Sequence, residues 1–367
     1  MEKQKILCRI GVLFALLLLF CACSTRKDTT VPDSTEQLSQ PRSIAFAHKS
    51  INSYFYIIIN EAVKRSAEER GWKFETSVAD YDQIRQNNQI ANLISKQPDA
   101  IITTSIDSTG IVDAVELANE AGIPMCIIDT ESAGGNLEMM VSFDNYRAGQ
   151  MAAEEIVNRL IEKYGVAKGV VFNAYGLENS DAWRKRKEGF ENIILRYPGI
   201  TYVAKCGEGE YVKVREALLA AYAVYPWIDA VHCSSDHPGR GMIEALQQTG
   251  NWKRIDEPGH VIVVTIDGEP CSVDNIATGY YDASIVQDAV SYGKITADLL
   301  DRYTFKGGVI PAGKYDSDNT YWGECDITME SWGTRVNIPP YVMNSSNYAD
   351  KRNWANIARQ EWGFEYK

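Results

Sequence analysis

From residue 43 onward the chain repeats one pattern: a short apolar run rich in branched residues, a polar turn, then a stretch with helical apolar spacing. Strands are expected at residues 43–47 (SIAFA), 74–78, 100–103 (AIIT), 125–128 (MCII) and 139–142. The helices between and after them are expected at 53–70, 84–96, 109–121 and 146–164. Gly71 and Gly122 sit where two of these helices would stop. The second half repeats the alternation, with strands at 169–172, 202–206, 230–233 and 261–266, and helices at 182–197, 212–225, 239–249 and 285–303. Strand–helix alternation of this length builds parallel sheets covered by helices on both faces. Two runs meeting near residues 141–144 therefore predict an α/β protein of two doubly wound parallel-sheet lobes. From residue 304 the pattern gives way to Gly, Pro and aromatic residues. Residues 304–367 read as a closing segment with a short strand near 336–342.

The chain has 367 residues, enough for two cores, and a formal net charge of −12. That balance argues against nucleic acid as a partner, which calls for clustered positive charge. The first residues read as targeting signal. Lys3, Lys5 and Arg9 precede an apolar run at residues 10–20, which is short for a membrane span. The sequence Leu19-Phe20-Cys21-Ala22-Cys23-Ser24 then places a small residue directly before a Cys. This resembles a bacterial lipoprotein cleavage site, with residues 1–22 removed and Cys23 acylated. An ordinary secretory signal or an uncleaved anchor is the alternative. Residues 23–42 are polar and rich in Ser, Thr and Pro, as a flexible tether would be. Cys126, Cys206, Cys233, Cys271 and Cys325 are odd in number, so they cannot all pair within one chain, and none has metal-ligand spacing. Cys126 and Cys233 lie in strand runs and read as small core residues.

In an open α/β sheet, ligands bind beyond the carboxyl ends of the strands. The residues expected there are Asn52, Ser53, Phe55 and Tyr56; Asp107; Asp129; Asp144 and Asn145; Trp183 and Arg184; Glu210 and Tyr211; Ser235 and Asp236; and Asp267. Any one of these Asp residues could be a helix cap or an Asx turn. Together they make a set of aromatics, carboxylates and one guanidinium. Carboxylates accept hydrogen bonds from neighbouring hydroxyls, Arg donates to ring or hydroxyl oxygens, and aromatic faces cover C–H groups. A neutral polyol satisfies such a set, whereas an anion meets too many carboxylates. At residues 170–190, a strand, an Asx-rich turn and a helix follow in order. Asp181 is a candidate cap, and Trp183 and Arg184 stand at the helix start.

The order and spacing of SIAFAHKSINSYFY, PDAIITTSIDS with ELANEAGIPMCIID, VSFDNYRAGQMAAE, AWRKRKEGF, CSSDHPGRGMIEAL and VIVVTIDGEP…GYYDASIVQD resemble those of periplasmic sugar-binding proteins of the ribose/galactose type, over about residues 43–310. The resemblance implies a type I periplasmic binding protein fold with a three-crossover hinge near residues 141–144, 266–287 and 320–324. One lobe would hold residues 43–143 and 287–322, the other 144–286 and 323–367. By position, Phe55 and Tyr56 would stack on a sugar and Asp107 would be the first-lobe carboxylate. Arg184 would be the second-lobe guanidinium, Asp267 the second-lobe carboxylate and Gln287 an amide at the hinge. Asn52, Asp144, Trp183, Tyr211 and Asp236 complete the expected site, with Ser235 where the family often carries Asn. The implied function is capture of a neutral monosaccharide or polyol and its delivery to ABC permease subunits, by a lipid-anchored monomer that needs no cofactor or metal and is no enzyme. A sugar sensor for a chemoreceptor or histidine kinase shares the same pattern. A sugar-modifying enzyme using Asp107 and Asp267 is the remote third reading.

Other motifs carry less. Asp316-Ser317-Asp318-Asn319-Thr320 with Glu324 alternates oxygen ligands but lacks the Gly of a calcium loop, so it reads as a turn. His48, His232, His237 and His260 show no metal spacing. The closing segment holds Trp322, Trp332, Trp354 and Trp362, which read either as an elaboration of the lobes or as a docking surface.

Overall fold

The computed structural model describes residues 40–317 and 319–365. The expected signal segment, the acylation site Cys23, most of the tether, and Asp318 of the acidic turn lie outside the described residues.

The first lobe begins with β1 (Ser43–His48), α1 (Tyr54–Glu68), β2 (Lys73–Val78), α2 (Gln83–Ile94), β3 (Ala100–Thr103), α3 (Val112–Glu120), β4 (Met125–Ile128) and β5 (Leu137–Phe143). The chain then crosses over. The second lobe holds α4 (Asn145–Tyr164), β6 (Gly169–Tyr175), α5 (Asp181–Ile194), β7 (Ile200–Cys206), α6 (Tyr211–Val224), β8 (Ala230–Cys233), α7 (Asp236–Gln248), β9 (Ile262–Asp267), α8 (Pro270–Ala277) and β10 (Ala283–Val286). After α9 (Ala289–Arg302) come β11 (Gly313–Asp316), β12 (Glu324–Glu330), β13 (Gly333–Ile338) and β14 (Tyr341–Met343).

Two sheets result. One runs β11-β12-β13-β5-β4-β3-β1-β2 and the other β14-β10-β9-β8-β6-β7. Both contain the same parallel order, in which the second strand of the lobe lies outside the first and the third lies on the first strand's other side. The order therefore reverses beside β1 in one lobe and beside β6 in the other. Loops leaving adjacent strands part at such a switch point and open a crevice. The strands are apolar because helices cover both faces. Phe46, Ile102, Cys126 and Val141 are buried in one lobe, and Val171, Phe172, Val231 and Cys233 in the other.

The two-lobe reading holds, with three corrections. Residues 285–303 were expected as one helix, but ASIV (β10) pairs in parallel with β9, and the helix starts only at Ala289, capped by Asp288. A buried parallel strand shows no alternation, so four apolar residues beside a helix merge with it in the pattern. Residues 323–367 were expected in the second lobe, yet β12 and β13 extend the first lobe's sheet, with β13 parallel to β5. Only β14 joins the second sheet, antiparallel to β10. The single strand expected near 336–342 is thus two strands in different sheets. Pro339 and Pro340 part them, because neither offers a ladder N–H. The third crossover lies at this Pro pair and not at 320–324. The other two are the junctions β5–α4 and β10–α9, near the expected positions.

The four Trp residues of the closing segment are built into the lobes. Trp354 is fully buried, and its Nε1 donates to the Asp267 carbonyl at 2.8 Å. Trp322 Nε1 donates to Asp288 at 3.0 Å. Trp332 lies under Arg335 and Trp362 under Arg65.

Helices α4 and α5 approach closely through paired glycines. A Cβ on Gly149 would stand 2.0 Å from the Arg186 carbonyl oxygen, and one on Gly189 would stand 2.0 Å from that of Tyr146. Backbone cannot yield as a flexible side chain can, so Gly189→Ala is expected to lower stability by about 1–3 kcal/mol or more. Urea unfolding should show a lower midpoint at an unchanged slope. An unchanged midpoint would mean that the two helices are not in this contact.

Candidate functional site

A cavity of about 410 Å³ lies where the loops leaving both switch points meet. Residues 49–56 enter it after β1, and residues 129–130 after β4. From the second lobe come residues 177–186 after β6, 208–210 after β7, 235–238 after β8 and 267–269 after β9. Hence the walls come from both lobes. Contacts across the gap hold them together: Asn179 Nδ2 donates to Asp107 at 3.2 Å, and Lys185 faces Glu131 at 3.3 Å.

Two buried ion pairs organise the cavity. Lys49 Nζ donates to Asp129 Oδ2 at 2.9 Å and to Thr130 Oγ1 at 2.6 Å, and it sits 4.7 Å above the centre of the Tyr56 ring. Arg186, only 3 % exposed, donates through Nη1 to Asp267 Oδ1 at 3.0 Å and to the Ser234 carbonyl at 2.6 Å. Its Nε donates to Asn145 Oδ1 at 2.8 Å, and its Nη2 to Gln287 Oε1. Gln287 Nε2 in turn donates to Asp129 Oδ1 at 2.9 Å. The two ion pairs therefore join into one chain from lobe to lobe through the crossover residue Gln287. Burial raises the Asp129 carboxyl, but Lys49 and Thr130 outweigh it and hold the group below its ordinary range. At Asp267 burial prevails over Arg186 and Ser235, and the net direction is upward.

Asp267 occupies an unusual backbone conformation for a non-glycine residue, with φ of 118°. Trp354 holds its carbonyl, and Ser235 Oγ, at 2.5 Å, and Arg186 hold its carboxylate. The aromatic walls are Phe55, Tyr56, Tyr81 and Trp183. The Trp183 indole lies against the backbone at Gly176 and Gly209, where an added Cβ would come within 2.1 Å of the ring at either position. Phe55 is braced edge-on by Trp354 at 5.8 Å.

Of the expected site residues, Asn52, Phe55, Tyr56, Trp183, Ser235, Asp267 and Gln287 line this cavity, and five do not. Arg184 points outward to Asp181 and Glu188. The guanidinium in the cavity belongs to Arg186, which shares the inward face of α5 with Ala182, Gly189, Phe190 and Ile193. The apolar spacing around Arg186 was a signal for this, since a buried stripe carries its one Arg inward. Asp107 closes its own turn, accepting from the N–H groups of Thr109 and Gly110 at 2.8 and 2.7 Å. Asp144 caps α4 by accepting from Arg147 N, and Tyr211 is an exposed first residue of α6. Asp236 is buried behind the wall, where it accepts from Glu269 N and Ser272 Oγ, both at 2.7 Å. Ser180, not Asp181, is the cap position of α5. Among the residues outside that set, Asp129 stood at an expected strand end. Lys49 and Glu269 carried no local signal at all.

A family model described as a periplasmic binding protein domain matches residues 44–307. The chain belongs to that family. A ribose import binding protein of Bacillus subtilis is 26 % identical over 80 % of this chain and 92 % of its own length. A D-apiose import binding protein of Actinobacillus succinogenes is 30 % identical over 72 % of this chain and 82 % of its own. Among solved structures, an ABC transporter solute-binding protein of Agrobacterium vitis, bound with α-D-tagatopyranose, superposes with a TM-score of 0.70. It is 23 % identical and covers 85 % of this chain and 97 % of its own. A Bacillus halodurans solute-binding protein with bound myo-inositol gives 0.70 at 22 % identity, covering 85 % and 97 %. The fold is the type I fold of the periplasmic binding proteins.

The different placements of the two arginines have a measurable consequence. Removing one partner of a buried pair leaves the other charge uncompensated, so Arg186→Ala is expected to cost about 3–5 kcal/mol. Arg184→Ala removes an exposed pair with Glu188 and a half-buried one with Asp181, which keeps Lys185 as a partner, and is expected to cost about 1 kcal/mol. Chemical denaturation of both variants measures this, and equal losses would contradict the inward placement of Arg186.

Proposed function

We propose that this chain is the extracytoplasmic solute-binding component of an ABC importer, and that it captures a neutral sugar or related polyol between its two lobes. The observation that carries the reading is that the two buried cations of the cavity are neutralised from within. Lys49 and Arg186 are each matched by a carboxylate, Asp129 and Asp267, so no net charge of these pairs is left for an ionic ligand. Oδ1 of each carboxylate accepts a single hydrogen bond, from Gln287 at Asp129 and from Arg186 at Asp267, and keeps lone-pair capacity for a hydroxyl. Phe55, Tyr56 and Trp183 offer flat faces to the C–H side of a ring. The names of the relatives support the same class: import binding proteins for ribose and D-apiose, and solute-binding structures holding D-allose or myo-inositol. In this reading Asn52, Phe55, Tyr56, Trp183, Ser235, Asp267 and Gln287, joined by Lys49, Asp129 and Arg186, contact the ligand. Ligand contacts from both walls favour the closed arrangement, and the permease subunits recognise that state.

A micromolar dissociation constant corresponds to about 8 kcal/mol, within reach of a few charge-assisted hydrogen bonds and two stacking faces. A thermal-shift panel of pentoses, hexoses, their furanose-forming isomers and cyclitols tests the reading. A true ligand at about 100 times its dissociation constant adds roughly 2.7 kcal/mol of stability. No shift with any member of a broad panel would remove the sugar assignment.

We further propose that the mature protein is tethered to a membrane through an acylated Cys23. Mass spectrometry of the protein extracted from membranes should show a diacyl or triacyl modification on an N-terminal Cys23, and Cys23→Ala should release it. An unmodified N-terminus beginning elsewhere would refute the anchor.

A further inference from the structure

One cavity-lining carboxyl does not fit the pattern of the others. Asp129 and Asp267 have hydrogen-bond donors on both oxygens. So has Asp236 behind the wall. Glu269 is completely buried and lines the cavity, yet only its Oε1 is engaged, accepting from Phe55 N across the lobe boundary at 3.3 Å. Its Oε2 is buried without any partner among the described residues.

An ionised carboxylate in such a place would leave a bare anionic oxygen in a low-dielectric wall, a costly arrangement. A protonated one divides its oxygens as observed. The carbonyl oxygen Oε1 accepts, and the hydroxyl Oε2 stands unengaged as a donor. The neighbours favour the proton. Asp236 and Asp267 face Glu269 as like charges, and Arg240 acts on it in the opposite direction. Burial, then these two aspartates, push the Glu269 carboxyl well above its ordinary range, and burial with Asp267 pushes Asp236 up to about 7.

We propose that Glu269 meets the bound sugar as a neutral carboxylic acid, its Oε2 hydroxyl turning out of the wall to donate a hydrogen bond to a ligand oxygen. This inference rests on the sugar reading of the cavity. It adds a donor beside the carboxylate of Asp267, so the ligand must present an oxygen acceptor toward α8 next to the hydroxyls read by Asp267. It also links binding to pH. As pH rises and Glu269 loses its proton, the donor is replaced by an anionic oxygen facing the ligand oxygen, and affinity falls. No proton is released on binding below that titration.

Two measurements on the full chain test this. The first needs no ligand: infrared difference spectroscopy at neutral pH, wild type against Glu269→Gln, should show a protonated-carboxyl C=O stretch that the variant lacks. The second is calorimetric titration with D-ribose, D-allose and myo-inositol from about pH 6 to about pH 10, where wild-type affinity for a binder should drop by about tenfold or more, the scale of one lost hydrogen bond turned repulsive. Glu269→Gln keeps a donor at this place and should bind within about threefold of wild type with that pH dependence gone, whereas Glu269→Leu should bind about tenfold more weakly at every pH. Absence of the infrared band, or wild-type affinity in Glu269→Leu, would overturn the proposal. So would tighter binding of D-glucosamine than of D-glucose together with a missing band, since that would make Glu269 an anionic partner for an ammonium group. A band that disappears in Glu269→Gln while no member of the whole thermal-shift panel binds would uphold the neutral acid and overturn the sugar reading instead.

Discussion

The buried guanidinium of Arg186 is the constraint around which the rest is arranged. A charge that remains ionised under burial needs a counter-charge and a partner for most of its donors. Here Asp267 supplies the charge, and Ser234, Asn145 and Gln287 supply the remaining acceptors. Each partner stands at a structural junction. Asn145 opens the helix after the first crossover, Gln287 lies in the second, and Asp267 ends the central strand of its lobe and is held from behind by the closing segment through Trp354. The close approach of α4 and α5 at Gly149 and Gly189 brings the arginine's helix to that place. Hinge, cavity wall and helix packing thus form one hydrogen-bonded unit.

This arrangement explains why the cavity suits an uncharged guest. Its strongest charges are already spent on each other, and what is left is hydrogen-bonding capacity with fixed direction. Gln287 extends the chain from Arg186 to Asp129 and Lys49, so the two lobes share a single polar network and do not present two independent walls. The non-glycine backbone at Asp267, at φ of 118°, fits the same picture, since strain at a residue held from three sides is sustained by its surroundings.

Several elements were legible before any coordinates. The parallel strands, most helices and the aromatic pair Phe55–Tyr56 follow from periodicity and from the rule that ligands gather at strand ends. The misreadings have local causes. The strand Ala283–Val286 carries no alternation and abuts a helix, so the two merged. Arg184 and Arg186 sit two residues apart on one helix, hence on different faces, and only the inward one can reach the cavity. Asp107 and Asp144 occupy plausible strand ends but serve their own backbone as turn and cap, which for a single Asp is the commoner role.

By itself the sequence determined two doubly wound lobes and the loops from which a cavity would be built, because apolar spacing and turn residues act over a few positions of the chain. Only the tertiary structure decided which charges meet there, since Gln287 reaches Asp129 across 158 residues and Arg186 reaches Asp267 across 81. It also decided that the closing segment divides between both sheets at Pro339 and Pro340, because strand pairing depends on which edge is left open once the rest has packed.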